Sequence, residues 1–237
     1  MLRKPILTLV FLFSVTQLIG QADSTDKYGR NLKEMTLRKK GPNLDYYGHP
    51  FIGYGFIAGE SNDSAQLKYG RSSAFNLGYL WKWRMAKWLE IGFDAEYHYA
   101  AFHLEQDSSK IVPNKLLHKR EKIVFNSVQV APFARLKIRN RHHSTGTFVD
   151  LGGYVGVNYR IKNQTVERNQ TPGAGKTKTV NVDLDYTERI DYGLLARVGF
   201  NRFVFYGRYR LSSLFTEESE LPDLPNMEIG LRVGIHQ

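Results

Sequence analysis

The chain contains no cysteine. That excludes a disulfide framework, a thiolate metal site and a thiol nucleophile. It also lacks any apolar run of the roughly 20 residues that a membrane-crossing helix needs. Its mean hydropathy of −0.40 is too polar for a bundle of such helices. From residue 49 onward the three-to-four-residue spacing of an amphipathic helix is missing as well.

What the chain has in quantity is aromatic residues, glycine and positive charge. Aromatics make up 13% of its 237 residues, there are 21 glycines, and the formal net charge is +10. Aromatics favour strands. A basic balance is compatible with nucleic acid, an anionic membrane surface, or a surplus of Arg and Lys with an internal use.

Residues 1–20, "MLRKPILTLVFLFSVTQLIG", place Arg3 and Lys4 before an apolar run from Pro5 to Val15. This is the layout of a secretory signal, with cleavage expected near Gly20–Gln21. Residues 21–48 are polar and aperiodic, and they read as a flexible periplasmic arm carrying Arg38, Lys39 and Lys40.

Beyond residue 48 the period is two. In 89–101, Leu89, Ile91, Phe93, Ala95, Tyr97 and Tyr99 alternate with Glu90, Gly92, Asp94, Glu96 and His98. Segments 69–81, 149–161 and 227–235 behave alike. Segments 49–58, 123–138, 189–200 and 203–214 fit more loosely, for eight strands in all. Connections alternate in length: "KWRMAK", "RNRHHSTG" and Asn201-Arg202 are short, while 59–67, 103–121, 162–187 and 215–225 are long. Short turns at one end and long polar loops at the other suit a transmembrane barrel.

Side-chain size fixes which column faces out. An eight-stranded barrel has an interior just wide enough for side chains to fill. The bulky column cannot fit there, so it faces lipid. The inward column combines glycine with Glu90, Asp94, Glu96, His98, Arg135, Asp150, Arg160, Arg189, Asp191, Arg197, Arg208, Arg210, Glu228 and Arg232. Buried charges must be paired, so these residues are expected to form a lumen ion-pair network that plugs the barrel. An interfacial aromatic girdle is expected from Tyr79, Trp81, Trp83, Trp88, Phe200, Phe203 and Phe205 at one rim and Tyr97 and Tyr99 at the other.

The stretch GAGKT at 173–177 looks like the end of a phosphate-binding loop. The first glycine of that motif falls at Gln170, and no helix follows. The stretch therefore reads as a loop tip, and no nucleotide, cofactor or metal is expected. Ser127 and His98 are the one serine–histidine pair that shares the inward column. His98 is expected to serve the polar network rather than catalysis.

"SVQVAPFARLKI", with its central proline, is similar to a strand of the PorT-like group of small outer-membrane barrels. The likeness continues through "VDLGGYVGVNYRI", "RIDYGLLARVGF" and "VFYGRYRLSSLF". It covers about residues 49–237 and departs at the end, Ile235-His236-Gln237, where such barrels often carry a terminal aromatic. The resemblance implies an accessory part in protein secretion or outer-membrane assembly, or a surface-binding barrel.

The sequence thus describes an all-β protein, an eight-stranded antiparallel up-and-down transmembrane β-barrel over 49–237 in the outer membrane. It is expected to be non-enzymatic, with outer-membrane lipid and a secretion or assembly complex as partners and no nucleic acid. A lipid A-modifying enzyme (deacylase or acyltransferase), a small passive pore and a soluble periplasmic barrel stand as alternatives.

Overall fold

The computed structural model of the protein describes residues 44–59, 65–141, 144–168 and 175–235. The expected signal peptide, nearly all of the arm, the two histidines of the RNRHHSTG connection and Gly173-Ala174 of the GAGKT stretch lie outside the described residues.

Among the described residues nine strands follow in chain order: β1 (Tyr46–Ala58), β2 (Ser73–Arg84), β3 (Leu89–Leu104), β4 (Arg120–Arg141), β5 (Ser144–Arg168), β6 (Lys176–Val182), β7 (Ile190–Phe200), β8 (Phe203–Arg210) and β9 (Met227–Gly234). All pairings are antiparallel. Eight strands close a ring, because β9 pairs with β1 and β4 pairs with β5. The ninth, β6, stays outside the ring and pairs only with the upper part of β5, from Lys162 to Arg168.

This last feature corrects the expectation of one long loop over 162–187. The alternation does not stop at Ile161, since Asn163 keeps the buried phase. "KTKTVNV" supplies the β-branched residues that pair well across an edge. The result is a ribbon of β4, β5 and β6 that rises past the ring.

Exposure alternates as the size argument requires. In β7, Asp191, Gly193, Leu195, Arg197 and Gly199 are buried, whereas Ile190, Tyr192, Leu194, Ala196, Val198 and Phe200 are exposed. Through the middle of the ring the exposed face is apolar and meets lipid. Short turns gather at one end, with residues 85–88 joining β2 to β3 and Asn201-Arg202 joining β7 to β8. Asn201 takes the left-handed conformation, φ 59°, that a two-residue hairpin demands. By the usual rule this is the periplasmic end.

Pro132 interrupts β4 in the middle of the wall. Pairing with β5 stops after Val130↔Val155 and resumes at Phe133↔Gly152, because proline has no amide hydrogen to give the ladder. A Cβ on Gly152 would lie 2.1 Å from the Pro132 carbonyl oxygen, so only glycine permits the close approach.

Candidate functional site

The site of interest is the lumen and the crown above it. Starting from the periplasmic end, the Glu90 carboxylate is held by Lys82 at 2.6 Å and by Lys137. Arg135 clasps Asp150 with two bonds, Nε to Oδ1 at 2.7 Å and Nη2 to Oδ2 at 2.9 Å. Arg197 touches the same carboxylate at 3.1 Å and also reaches Asp94. Arg232 joins Asp94 at 2.6 Å and Glu96 at 2.8 Å, and Arg208 joins Glu96 at 2.8 Å. The chain Asp150, Arg197, Asp94, Arg232, Glu96 and Arg208 thus stitches β5, β7, β3, β9 and β8 together through the barrel's middle. Breaking one buried partner of such a pair costs about 3–5 kcal/mol, because the other charge is left uncompensated.

Above this zone uncharged partners join the charged ones. His98 Nε2 hydrogen-bonds Glu228 at 2.9 Å, and the Tyr206 hydroxyl donates to the other oxygen of Glu228 at 2.6 Å. Asn76 donates to that same hydroxyl at 3.1 Å. Asp191 accepts from Gln129 at 2.9 Å and from Ser212 at 3.2 Å. Arg210 reaches Asp223 at 3.0 Å and the Leu224 carbonyl at 2.6 Å, which pins the β8–β9 connection onto the ring.

Each of four lumen arginines also lies over an aromatic ring. Arg135 is 3.6 Å from the centre of Phe148, Arg208 4.1 Å from Tyr154, Arg232 4.1 Å from Phe51 and Arg197 4.4 Å from Phe133. Desolvated contacts of this kind are worth up to about 2 kcal/mol. The rings fit because glycines on neighbouring strands leave room. A Cβ on Gly199 would come 2.0 Å from the Phe148 ring, and one on Gly230 would come 2.6 Å from Tyr206. One cavity of about 20 Å³ sits near Arg135 and Arg232, and another of about 40 Å³ near His98 and Asp191. Each has room for only a few waters at most.

The outer end is sealed differently. Leu67, Phe102, Leu104, Val112, Ile123, Phe125, Ile161, Leu214, Phe215 and Leu224 form one buried apolar cluster that closes the mouth beneath the long connections. Lys110 is buried within the crown on Glu121, whose carboxylate also accepts from Asn163 at 3.0 Å. Burial, helped by the Glu121 charge, pushes the phenol of Tyr186 up to about 12.

Residues 45–215 match the profile of a family described as outer membrane protein beta-barrel domain. The chain belongs to that family. This outer-membrane barrel is also similar to a solved structure of Ail, the attachment invasion locus protein of Yersinia pestis, in complex with the heparin analogue sucrose octasulfate. That match has 13% identity and a TM-score of 0.38, and covers 81% of this chain and 98% of that one. No curated protein matches the sequence significantly.

The barrel brings together twelve of the fourteen residues expected inward, namely Glu90, Asp94, Glu96, His98, Arg135, Asp150, Asp191, Arg197, Arg208, Arg210, Glu228 and Arg232, all buried. Arg160 and Arg189 are corrections, since both are exposed. At Arg160 the cause is a bulge: Ser127 pairs with Asn158 and Asn126 with Arg160, so β5 carries one extra residue and the phase slips. Arg189 precedes β7, where no ladder fixes its face. Ser127 and His98 are cross-strand neighbours. The hydroxyl meets the backbone carbonyl of His98 at 3.4 Å, not its ring.

Of the girdle residues, Trp83, Trp88, Phe200, Phe203, Phe205 and Tyr79 are exposed and Trp81, Tyr97 and Tyr99 half-buried. Trp81 stacks on Phe93 at 5.0 Å. The sequence reading missed Lys82, Lys137, Gln129 and the inward aromatics Phe51, Phe133, Phe148 and Tyr206. Their phase was the available signal, because Phe133 shares parity with Arg135, Phe148 with Asp150 and Tyr206 with Arg208.

Proposed function

We propose that this outer-membrane barrel is a non-enzymatic accessory subunit that acts through contacts of its outer crown rather than by moving solutes. The observation carrying this reading is the closed lumen. Ion pairs fill the middle and an apolar cluster fills the outer mouth, so the described residues leave no continuous route for a solute through the interior. A body this rigid suits presentation of a fixed surface, here the crown and the protruding β4–β5–β6 ribbon. The resemblance of "SVQVAPFARLKI" to the PorT-like group makes a protein-secretion or outer-membrane assembly complex the class of partner.

The test is a tagged pull-down from detergent-solubilised outer membrane with co-purifying proteins identified by mass spectrometry. A stoichiometric partner from a secretion or assembly machine is expected. A barrel recovered alone overturns the accessory role and shifts weight to a stand-alone surface function. The enzymatic alternative draws little support from His98, whose ring is committed to Glu228 inside the lumen.

A further inference from the structure

The two arginines that leave the lumen do not stand alone on the outside. Arg160 lies in the cross-strand row Tyr99, Asn126, Arg160, which is the level of the outer aromatic girdle. The carbonyl of Arg189 accepts from the Asn158 amide at 2.7 Å, so Arg189 sits beside it at the foot of β7. Two residues above Arg160 on β5 comes Lys162, opposite Val124. Two residues beyond Val124 on β4 comes Lys122, opposite His103 on β3 and Gln164 on β5. Arg120 and, across Val166, Lys178 on β6 continue the same face. Directly paired residues of antiparallel strands point to the same side, so the register alone puts these cations together.

All of them are exposed or half-buried. Among the described residues none makes an ion pair with a carboxylate, in contrast to the lumen arginines. Glu105 continues β3 on this side without pairing to them. The rim across the barrel has the opposite character, with Glu217, Glu218, Glu220 and Asp223 between β8 and β9. A cluster of like charges on one sheet face is unfavourable unless an anion lies against it.

Height identifies the anion. A strand rises about 3.3 Å per residue, which puts Lys162 about 7 Å and Lys122 about 13 Å along the strands above the Tyr99 row. Strand tilt shortens those distances toward the membrane normal. Arg160, Arg189 and Lys162 therefore fall in the headgroup layer, about 5–7 Å thick on each side of the hydrocarbon core, and Lys122 stands at its outer margin. We propose that this face binds the phosphate groups of lipid A in the outer leaflet. The arginines are suited to grip phosphate oxygens in pairs and the lysines act as point charges. The site lies outside the lumen, on the outward face at the base of the β4–β5–β6 ribbon.

The experiment uses the purified full chain in nanodiscs and three probes: phosphorylated lipid A, the same lipid A after dephosphorylation, and a soluble sulfated polysaccharide. Retention of each is read by native mass spectrometry. A cation close to an anionic lipid surface contributes roughly fivefold to affinity. Wild type is therefore expected to hold the phosphorylated lipid at least tenfold more tightly than the dephosphorylated one. The triple variant Arg160→Gln, Lys162→Gln, Lys122→Gln is expected to erase that preference, while Arg202→Gln at the periplasmic turn keeps it. Heat-modifiable gel migration confirms that each variant is folded. Should the triple variant fail to fold, the single variants Lys162→Gln and Lys122→Gln are each expected to lose several-fold. Equal retention by wild type and variants, or capture of the sulfated polysaccharide with no preference for phosphorylated lipid A, overturns the proposal.

Discussion

Arg135 lies 3.6 Å above the ring of Phe148 while its guanidinium holds Asp150, and the ring itself occupies the space that Gly199 leaves open. Charge, ring and glycine act here as one unit on β4, β5 and β7. Similar units recur around the lumen, which explains how a barrel this narrow accommodates so many arginines.

The Gly199→Ala substitution probes that unit. Its Cβ would meet the Phe148 ring at 2.0 Å. Overpacking of this kind typically costs 1–3 kcal/mol. A lower unfolding midpoint in detergent is expected, and Phe148→Leu in the same chain is expected to recover part of the loss. A midpoint equal to wild type would show that the ring can move aside freely.

Asp94 is shared by Arg197 and Arg232. Asp94→Asn leaves both guanidiniums short of a counter-charge in the centre of the barrel. We expect a loss of about 3–5 kcal/mol in a urea unfolding series in lipid vesicles. A change within 1 kcal/mol would mean that Asp150 and Glu96 take over.

Planar-bilayer recordings of the wild-type protein are expected to show no stable conductance steps. The double variant Arg197→Ala, Arg232→Ala removes two of the arginine side chains that fill the middle zone. Because the apolar cluster still closes the outer mouth, it too is expected to stay silent. Steady current through either protein would contradict the closed lumen.

In the crown, Tyr186 is neutral up to a higher pH when folded than its ordinary value of 10.0 allows, since burial and then Glu121 push it to about 12. A raised folded value means that its contribution is complete below pH 10 and is lost as pH climbs toward 12. Hydrogen exchange in the 183–189 connection is expected to rise across that window, and Tyr186→Phe is expected to remove the rise. An unchanged window in Tyr186→Phe would assign it to another group.

Lys110→Met tests the buried pair with Glu121. The lysine also donates to the Leu116 carbonyl at 2.6 Å, so it ties the 105–119 connection to the wall. Faster proteolytic nicking within 105–119 is expected, with the barrel below remaining resistant.

The strands, their closure and the direction of the apolar face were legible because alternation of size has one physical solution in a narrow barrel. Asp94 and Arg232 could be placed inward from parity alone. Arg160 could not, because one extra residue at a bulge reverses parity and nothing in "NYRIK" announces it. Phe148 and Tyr206 were hidden by a different cause. Their inward phase was visible, but an aromatic inside so small a lumen makes sense only once Gly199 and Gly230 on adjacent strands are seen to make room. Continuation of β5 to Arg168 was obscured by its polarity, since a ribbon outside the membrane needs no lipid-facing column.

The ring is completed by β1 pairing with β9, the first strand and the last. Neither has its second neighbour until the whole chain is present, so no shorter run of strands lacks an open edge. Unpaired edges invite association with other chains, and contacts between sequence-distant segments form slowly. Export therefore delivers a polypeptide that must be kept from its neighbours until its final eight-residue strand arrives. The order of synthesis and the order of sheet formation run as two separate clocks.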